Sequence, residues 1–367
     1  MQALILAGGE GTRLRPLTST IPKPVVPLAN RPHIAFMIDW LRRHGVDEVI
    51  LSCGFMAEGV RHVLGDGASL GVRIRYVDEP TPLGTGGALR YAGDLLDERF
   101  FMLNGDVLCD FDLSAQLAQH EQTGATGTLA LHAVEDPSAY GLVHLNDDGS
   151  VREFLEKPSS DESDSNLINA GAYVLNRSIL DDMAPPGTNI SIERDVFPKL
   201  VGHGLYGFVG QGYWLDIGTP ERYLEGNFDI LEGNVETELG KALEDGRRVL
   251  AEGATAEGRL IAPTLIGAGS SIARGAIVGG CVALGRDVVV EAGAHIERSV
   301  ILDGTRIGAH TTVRASIVGR AAEIGDHCHL DGGVVLGEGA RLGAHNTLRA
   351  GARLFPGVSL PDGAMRF

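Results

Sequence analysis

Aliphatic residues recur at every sixth position through the last third of the chain. Ile266, Ile272, Val278, Leu284, Val290 and Ile296 keep this step. The step loses one residue before Ile301, resumes through Ile307 and Val313, and loses one more before Val318. It then runs unbroken through Ile324, Leu330, Leu336, Leu342, Leu348, Leu354 and Leu360. A period of six fits neither a helix nor a half-buried strand. It fits a coil of short flat strands, with one hexad per side and the aliphatic residue pointing inward. Gly267, Gly285, Gly308, Gly325, Gly337 and Gly343 follow that residue and permit tight corners. The pattern predicts a parallel β-helix with three sides per coil.

Upstream of residue 233 the pattern changes. Short apolar runs at 3–7, 46–53, 72–77, 100–103 and 127–134 read as strands, and segments of helical period at 34–45, 56–64, 85–96 and 113–122 lie between them. Asn30 and Pro32 start the first helix, Ile34, Met37, Ile38 and Leu41 form its apolar stripe, and Gly45 closes it. Strands alternating with helices predict an α/β fold with a mostly parallel sheet covered on both faces. Residues 141–145 and 151–154, joined through Asn146-Asp147-Asp148-Gly149, read as an inserted hairpin. The Ser- and Asp-rich stretch 159–166 reads as a polar loop and 220–231 as the last helix. Residues 233–258 are acidic and weakly patterned and read as a connector. The expected domains are therefore 1–232 and 259–367.

A length of 367 residues agrees with two domains. Aromatic residues make up only 5%, while Gly reaches 51 residues, so cores are aliphatic and turns many. The formal charge of −17 argues against a nucleic-acid partner. No window approaches the roughly 20 apolar residues of a membrane span. Residues 1–7 lack the basic region and cleavage site of a secretory signal, so a cytoplasmic protein is expected. Cys53, Cys109, Cys281 and Cys328 show no paired spacing and read as buried, reduced thiols.

Chemistry concentrates where the first strand ends. Leu6-Ala7-Gly8-Gly9-Glu10-Gly11-Thr12-Arg13 runs from a strand into three glycines and a cation. Glycines let backbone N–H groups approach a phosphate, and Arg13 adds a charge-assisted donor. The spacing is not that of a P-loop, and Leu14 replaces the third Gly of a dinucleotide fingerprint. An ordinary glycine turn is the plainer reading. Pro22-Lys23-Pro24 stiffens a loop around one ammonium. Alone it reads as a surface lysine; ten residues after Arg13 it reads as a second cation for the same phosphates. Asp106 follows the strand at 100–103, where open α/β sheets place ligands, and reads equally as a turn residue after Gly105. Asp216 reads equally as a helix cap before Pro220.

Together these stretches resemble the signature of the sugar-1-phosphate nucleotidyltransferases. The resemblance continues through Leu83-Gly84-Thr85-Gly86-Gly87-Ala88, Asn104-Gly105-Asp106, Phe154-Leu155-Glu156-Lys157-Pro158, Asn169-Ala170-Gly171 and Trp214-Leu215-Asp216-Ile217-Gly218-Thr219. It is strongest toward the mannose-1-phosphate guanylyltransferase branch, which shares the Ser191-Ile192-Glu193-Arg194-Asp195-Val196-Phe197-Pro198 run. That branch often reads Ala-Gly-Pro where this chain has Gly86-Gly87-Ala88, a form also seen in relatives acting on other sugars.

The resemblance implies a Rossmann-like nucleotidyltransferase sheet followed by a left-handed β-helix. It implies transfer of a nucleotidyl group from a nucleoside triphosphate, GTP in this branch, to a sugar 1-phosphate, here mannose 1-phosphate. Leu6, Ala7, Gly8, Gly9, Gly11, Thr12, Arg13, Lys23, Glu79, Gly84 and Thr85 would meet the nucleotide. Gly141, Glu156, Lys157 and Asn169 would meet the sugar phosphate, and Asp106 and Asp216 would hold Mg²⁺. Arg13, Lys23, Asp106, Lys157 and Asp216 form the implied catalytic set. Two carboxylates about 4 Å apart repel by about 4 kcal/mol at an effective dielectric of 20, a cost that a hard cation removes. Base choice is read from Glu79, five residues before Gly84, where thymidine-using relatives place a glutamine. Guanine offers adjacent N–H and NH₂ donors that one carboxylate accepts in parallel. A solvated loop carboxylate beside Asp78 is the plainer reading of Glu79.

A non-catalytic regulatory paralogue would keep the two-domain plan but lack the charged set, which is complete here. His295, His310, His327, His329 and His345 read as surface residues of the repeat rather than as the base of an acetyl transfer. Glucose, heptose or cyclitol phosphates and other nucleotides are the alternatives within the enzyme class. Flat strand faces and unpaired coil ends predict a homo-oligomer through the repeat domain.

Overall fold

The computed structural model describes residues 1–156, 165–243 and 248–366. The chain forms two compact units and enters each more than once: Met1–Glu10 with Ile34–Trp214, and Gly11–His33 with Leu215–Phe367.

In the first unit, β1 (Gln2–Ala7), β2 (Glu48–Cys53), β3 (Arg73–Asp78) and β4 (Arg99–Asn104) lie parallel in the order β4-β1-β2-β3. Helices α1 (His33–Arg43), α2 (Ala57–Leu64) and α3 (Gly84–Ala92) connect them. Leu4, Ile5, Val49, Ile50 and Phe100 are fully buried, as strands covered on both faces require. α4 (Leu113–Thr123) starts at Asp112, whose carboxylate accepts from Ala115 N–H at 3.0 Å, and leads into β5 (Gly127–Ala133). The expected hairpin forms as β6 (Gly141–Leu145) and β7 (Val151–Glu156).

The hydrophobic pattern does not predict β8 (Leu167–Asn176), a ten-residue strand antiparallel to both β4 and β5. It joins the hairpin to the parallel strands. Its alternation is interrupted at Ala170-Gly171-Ala172, where the register against β5 slips between Asn169 and Tyr173. Gly171 takes φ 75 at this bulge. β9 (Leu205–Val209) runs parallel to β5.

The second unit carries α5 (Pro220–Glu232), capped by Thr219 and ended by Gly233 at φ 77. The repeats follow. Ser271 stacks on Val289, Val289 on Arg306, Arg306 on Glu323 and Glu323 on Arg341, all parallel, so one coil takes 18 or 17 residues. Ile266 through Leu354 of the sixfold series all lie in one buried core, with Leu360 packed against its end. The two lost residues have a structural site. After Val278 the chain turns through Gly279 and Gly280, but after Ile296 it turns through Arg298 (φ 45) and after Val313 through Ala315 (φ 43). These shorter corners make the coils of 17.

Stacking begins earlier than the sixfold series. Arg248–Leu250 pairs with Thr264–Ile266 and Thr255–Ala256 with Ser271–Ile272, so the second half of the connector stretch is already coil. Its inward residues, Ala254 and Ala256, are small and only partly buried, which weakens the signal.

Of the expected polar loop, 159–164 lie outside the described residues. All four cysteines are free and buried, and burial pushes the Cys53 and Cys281 thiols up to about 12. Among the described residues no helix is long and apolar enough to cross a membrane.

Candidate active site

The first unit gathers its candidate residues at the carboxyl ends of its parallel strands. Gly8, just past β1, lies against the Glu79 carboxylate: a Cβ on Gly8 would stand 2.7 Å from Glu79 Oε1. Glu79 follows β3 and its N–H donates to the Cys53 carbonyl at 2.8 Å. Ser52 Oγ donates to Oε1 at 2.9 Å and Leu83 N–H to Oε2 at 3.3 Å. These contacts tie the half-buried Glu79 carboxylate to the protein on both oxygens. Each oxygen keeps a further lone pair for a ligand. Ser52 is fully buried and belongs to no motif, so sequence reasoning misses it. The only signal is a hydroxyl inside the apolar run Val49-Ile50-Leu51-Ser52-Cys53.

Asn104-Gly105-Asp106 closes β4 by crossing the end of β1. Gly105 N–H donates to the Leu6 carbonyl at 2.9 Å, and a Cβ at 105 would overlap that same oxygen. This close approach fixes where the half-buried Asp106 leaves the strand.

Gly84 and Thr85 open α3. Thr85 Oγ1 donates to Glu193 Oε2 at 2.6 Å and accepts from Ile192 N–H at 2.9 Å, and Ser191 Oγ donates to the same carboxylate oxygen at 2.8 Å. The Ser191-Ile192-Glu193 motif thus locks onto the start of α3. The Thr85 side chain is engaged within the protein, which leaves its backbone for a nucleotide. Gly86 and Gly87 both donate to the Ile190 carbonyl, at 2.8 and 3.1 Å, and Gly87 lies against the Thr188 carbonyl. Packing on 188–190 therefore accounts for the small residues here.

On the other side of the sheet opening, Gly141 and Glu156 are cross-strand partners. The Glu156 carboxylate lies 2.9 Å from where a Gly141 Cβ would stand. Asn169, at the β8 bulge, donates from Nδ2 to the Tyr173 hydroxyl at 2.9 Å and accepts from Gly171 N–H at 3.2 Å. Burial holds the Tyr173 hydroxyl well above its ordinary pKa, so it stays protonated. Trp214 Nε1 donates to the Ala170 carbonyl at 2.8 Å, and its ring meets Tyr140 edge-on at 5.3 Å. Lys157 lies outside the described residues.

The second unit carries the cations. Gly11 has φ 63, and its carbonyl accepts from Thr18 Oγ1 at 2.7 Å. The Lys23 stem lies over Gly11, whose Cβ would stand 3.0 Å from Lys23 Cβ. Arg13 Nη2 is 3.8 Å from Asp216 Oδ2, and the guanidinium crosses Gly218, whose Cβ would stand 2.6 Å from Nη2. Thr219, not Asp216, caps α5, accepting from Arg222 N–H, so capping is not the role of Asp216. Arg13 is 62% exposed and Asp216 23%, so solvent screens this pair and it adds little stability.

Among the described residues no group of three or more His, Cys, Asp and Glu side chains could hold a metal ion. Asp106 in the first unit and Asp216 in the second are each a hard oxygen donor of the kind a divalent cation takes, along with phosphates and water.

Residues 2–233 match the family model described as Nucleotidyl transferase, and residues 260–357 match the GMPPB C-terminal domain. A mannose-1-phosphate guanylyltransferase of Mycobacterium tuberculosis is 37% identical over 373 residues, spanning 100% of this chain and 98% of the relative. Mannose-1-phosphate guanylyltransferase 1 of Arabidopsis thaliana is 37% identical over 345 residues, spanning 92% of this chain and 91% of the relative. The solved structure of HddC from Yersinia pseudotuberculosis complexed with GMP-PN is 29% identical, with a TM-score of 0.53 over 62% of this chain and 97% of that one. Motifs, fold and relatives agree: the chain belongs to the nucleotidyl transferase family and is an enzyme of it, with a C-terminal domain of the GMPPB type.

Proposed function

We propose that the protein transfers a guanylyl group from GTP to mannose 1-phosphate, giving GDP-mannose and pyrophosphate. The observation that carries the base is the Glu79 carboxylate, fixed against Gly8 by Ser52 and Leu83 and able to accept two adjacent guanine donors. The names of the relatives and the GMP-PN complex support the same substrates.

A sugar-phosphate oxygen attacks the α-phosphorus; the new P–O bond forms as the bond to pyrophosphate breaks. Nucleophile and leaving group are both anions, so catalysis consists of alignment and positive charge. Arg13 and Lys23, drawn onto Gly218 and Gly11, receive the phosphates and the charge that grows on the leaving group. Backbone N–H groups over Gly8, Gly9 and Gly11 extend that cradle. Lys157 balances the sugar phosphate. Glu156 and Asn169 orient the sugar hydroxyls, and Gly141 leaves room for them. Asp106 and Asp216 would hold Mg²⁺, which supplies Lewis-acid charge to phosphate oxygens when bound.

A pyrophosphate-release panel tests this by crossing five nucleoside triphosphates with mannose-, glucose- and galactose-1-phosphate. GTP with mannose 1-phosphate should be fastest; another winning sugar phosphate overturns the mannose assignment. Glu79→Gln should lower kcat/KM for GTP by about tenfold, the weaker end of a charge-assisted hydrogen bond, and improve UTP or dTTP. An unchanged order of preference in the variant makes Glu79 a loop residue only.

The repeat domain is the proposed oligomer contact, since its flat strand faces suit self-association. Light scattering at micromolar concentration should give a multiple of 38.8 kDa, and a monomer overturns this. Buried cysteines without disulfide pairing support a reducing, cytoplasmic setting.

A further inference from the structure

The segment that carries Arg13 and Lys23 is gripped from the repeat side at both ends. Near its start, Arg353 Nη1 donates to the Arg15 carbonyl at 3.0 Å, two residues past Arg13. Near its end, Ala29 and Asn30 both take positive φ, 43 and 62. L residues keep that conformation when their surroundings hold them there. Asn30 Nδ2 donates to the Leu284 carbonyl at 2.6 Å, and the fully buried Asn227 accepts from Ala29 N–H at 2.7 Å. The second arm of Asn227 donates to the Tyr223 carbonyl at 2.7 Å, and the Tyr223 hydroxyl donates to the Pro27 carbonyl.

The fold of the repeat explains why these grips occur where they do. On the rungs that stack through Leu265, Ala283, Val300, Ile317 and Val335, the residue before each inward-pointing aliphatic is buried even on the outer side of the coil. Arg353, paired beneath Val335, is the exposed end of that covered column. An arginine there presents a rigid fork of donors at the margin of the covered face.

We propose that Arg353 is a positioning residue for the transfer reaction: it acts through Arg15 to hold Arg13 and Lys23 ready for the triphosphate. The repeat domain is then part of the machinery that sets nucleotide affinity, and not an assembly platform alone. This rests on the reading that Arg13 and Lys23 meet the phosphates. Preorganised donors bind without first losing loop entropy, so loosening the grip should appear in nucleotide binding before it appears in folding.

The test uses the full-length chain. Arg353→Met keeps the stem and removes the donors. It should raise KM for GTP about fivefold, leave KM for mannose 1-phosphate within twofold, and leave Tm unchanged. Arg353→Lys should recover at least half of the loss, because an ammonium also reaches a carbonyl. Asn30→Ala should repeat the GTP effect from the other end. Equal changes in both KM values, or a fall in Tm that accounts for lost activity, overturns the proposal. Arg13→Ala and Lys23→Ala separate the two layers. If they leave GTP use intact, the phosphate reading fails; if they impair it while Arg353→Met does not, only the positioning role fails.

Discussion

Asp106→Asn should lower kcat by about 10²–10³-fold, the range lost when one preorganised electrostatic element is removed from a polar transition state. The fold should survive. Asp106 is half-buried in a turn after β4, and an amide has nearly the same shape. Asp216→Asn should do the same, since the ion pair it gives up with Arg13 is exposed to solvent and worth little stability. The double variant should lose little more than the worse single one, because groups that act as a unit are not additive. Steady-state kinetics with a Mg²⁺ titration, alongside thermal unfolding, checks all three. Activity that persists in excess chelator, or near-normal turnover in both single variants, overturns the metal assignment.

Gly105→Ala tests the geometry behind that site. Its methyl group would overlap the Leu6 carbonyl, the oxygen that Gly105 N–H now reaches at 2.9 Å. Either the crossing of β4 over β1 opens or Asp106 moves. A displacement near 1 Å at a catalytic group costs about 10²-fold in rate. Overpacking of this kind also destabilises by about 1–3 kcal/mol. The expected result is a loss of kcat near 10²-fold together with a measurable fall in Tm. Gly9→Ala is the contrast: a Cβ there meets nothing within 4 Å, so its Tm should hold. Wild-type kcat in Gly105→Ala would show that the crossing does not position Asp106.

What was legible in the sequence follows from how local each constraint is. Every coil of the β-helix repeats one environment, so Ile266 through Leu354 announce themselves by spacing. Two missing residues could even be noticed, though not assigned to corners at Arg298 and Ala315. Gly105 was named only as part of a motif, and its reason, the close crossing of the Leu6 carbonyl, shows in the structure alone. β8 was hidden because its bulge at Gly171 breaks the alternation that marks a strand. Ser52, Thr18, Asn227 and Arg353 were not legible. Thr18 bonds Gly11 only seven residues away but through no motif, while the others depend on partners 27 to 338 positions off, of which a lone polar residue carries no trace. Motif reading named Glu79, but only its hydrogen bonds separate a fixed acceptor from a solvated carboxylate.

The passage of the chain between its compact units at Glu10–Gly11, His33–Ile34 and Trp214–Leu215 bears on how such enzymes exchange parts. A chimaera joined inside 233–258 would preserve every catalytic motif and still set foreign repeats beneath residues 11–33 and α5. The Leu284 carbonyl is supplied by any backbone, but the Arg353 side chain is not. Recombination between relatives should therefore tolerate crossovers that let 11–33 and 215–232 travel with their own repeats. It should disfavour the junction that looks most like a linker.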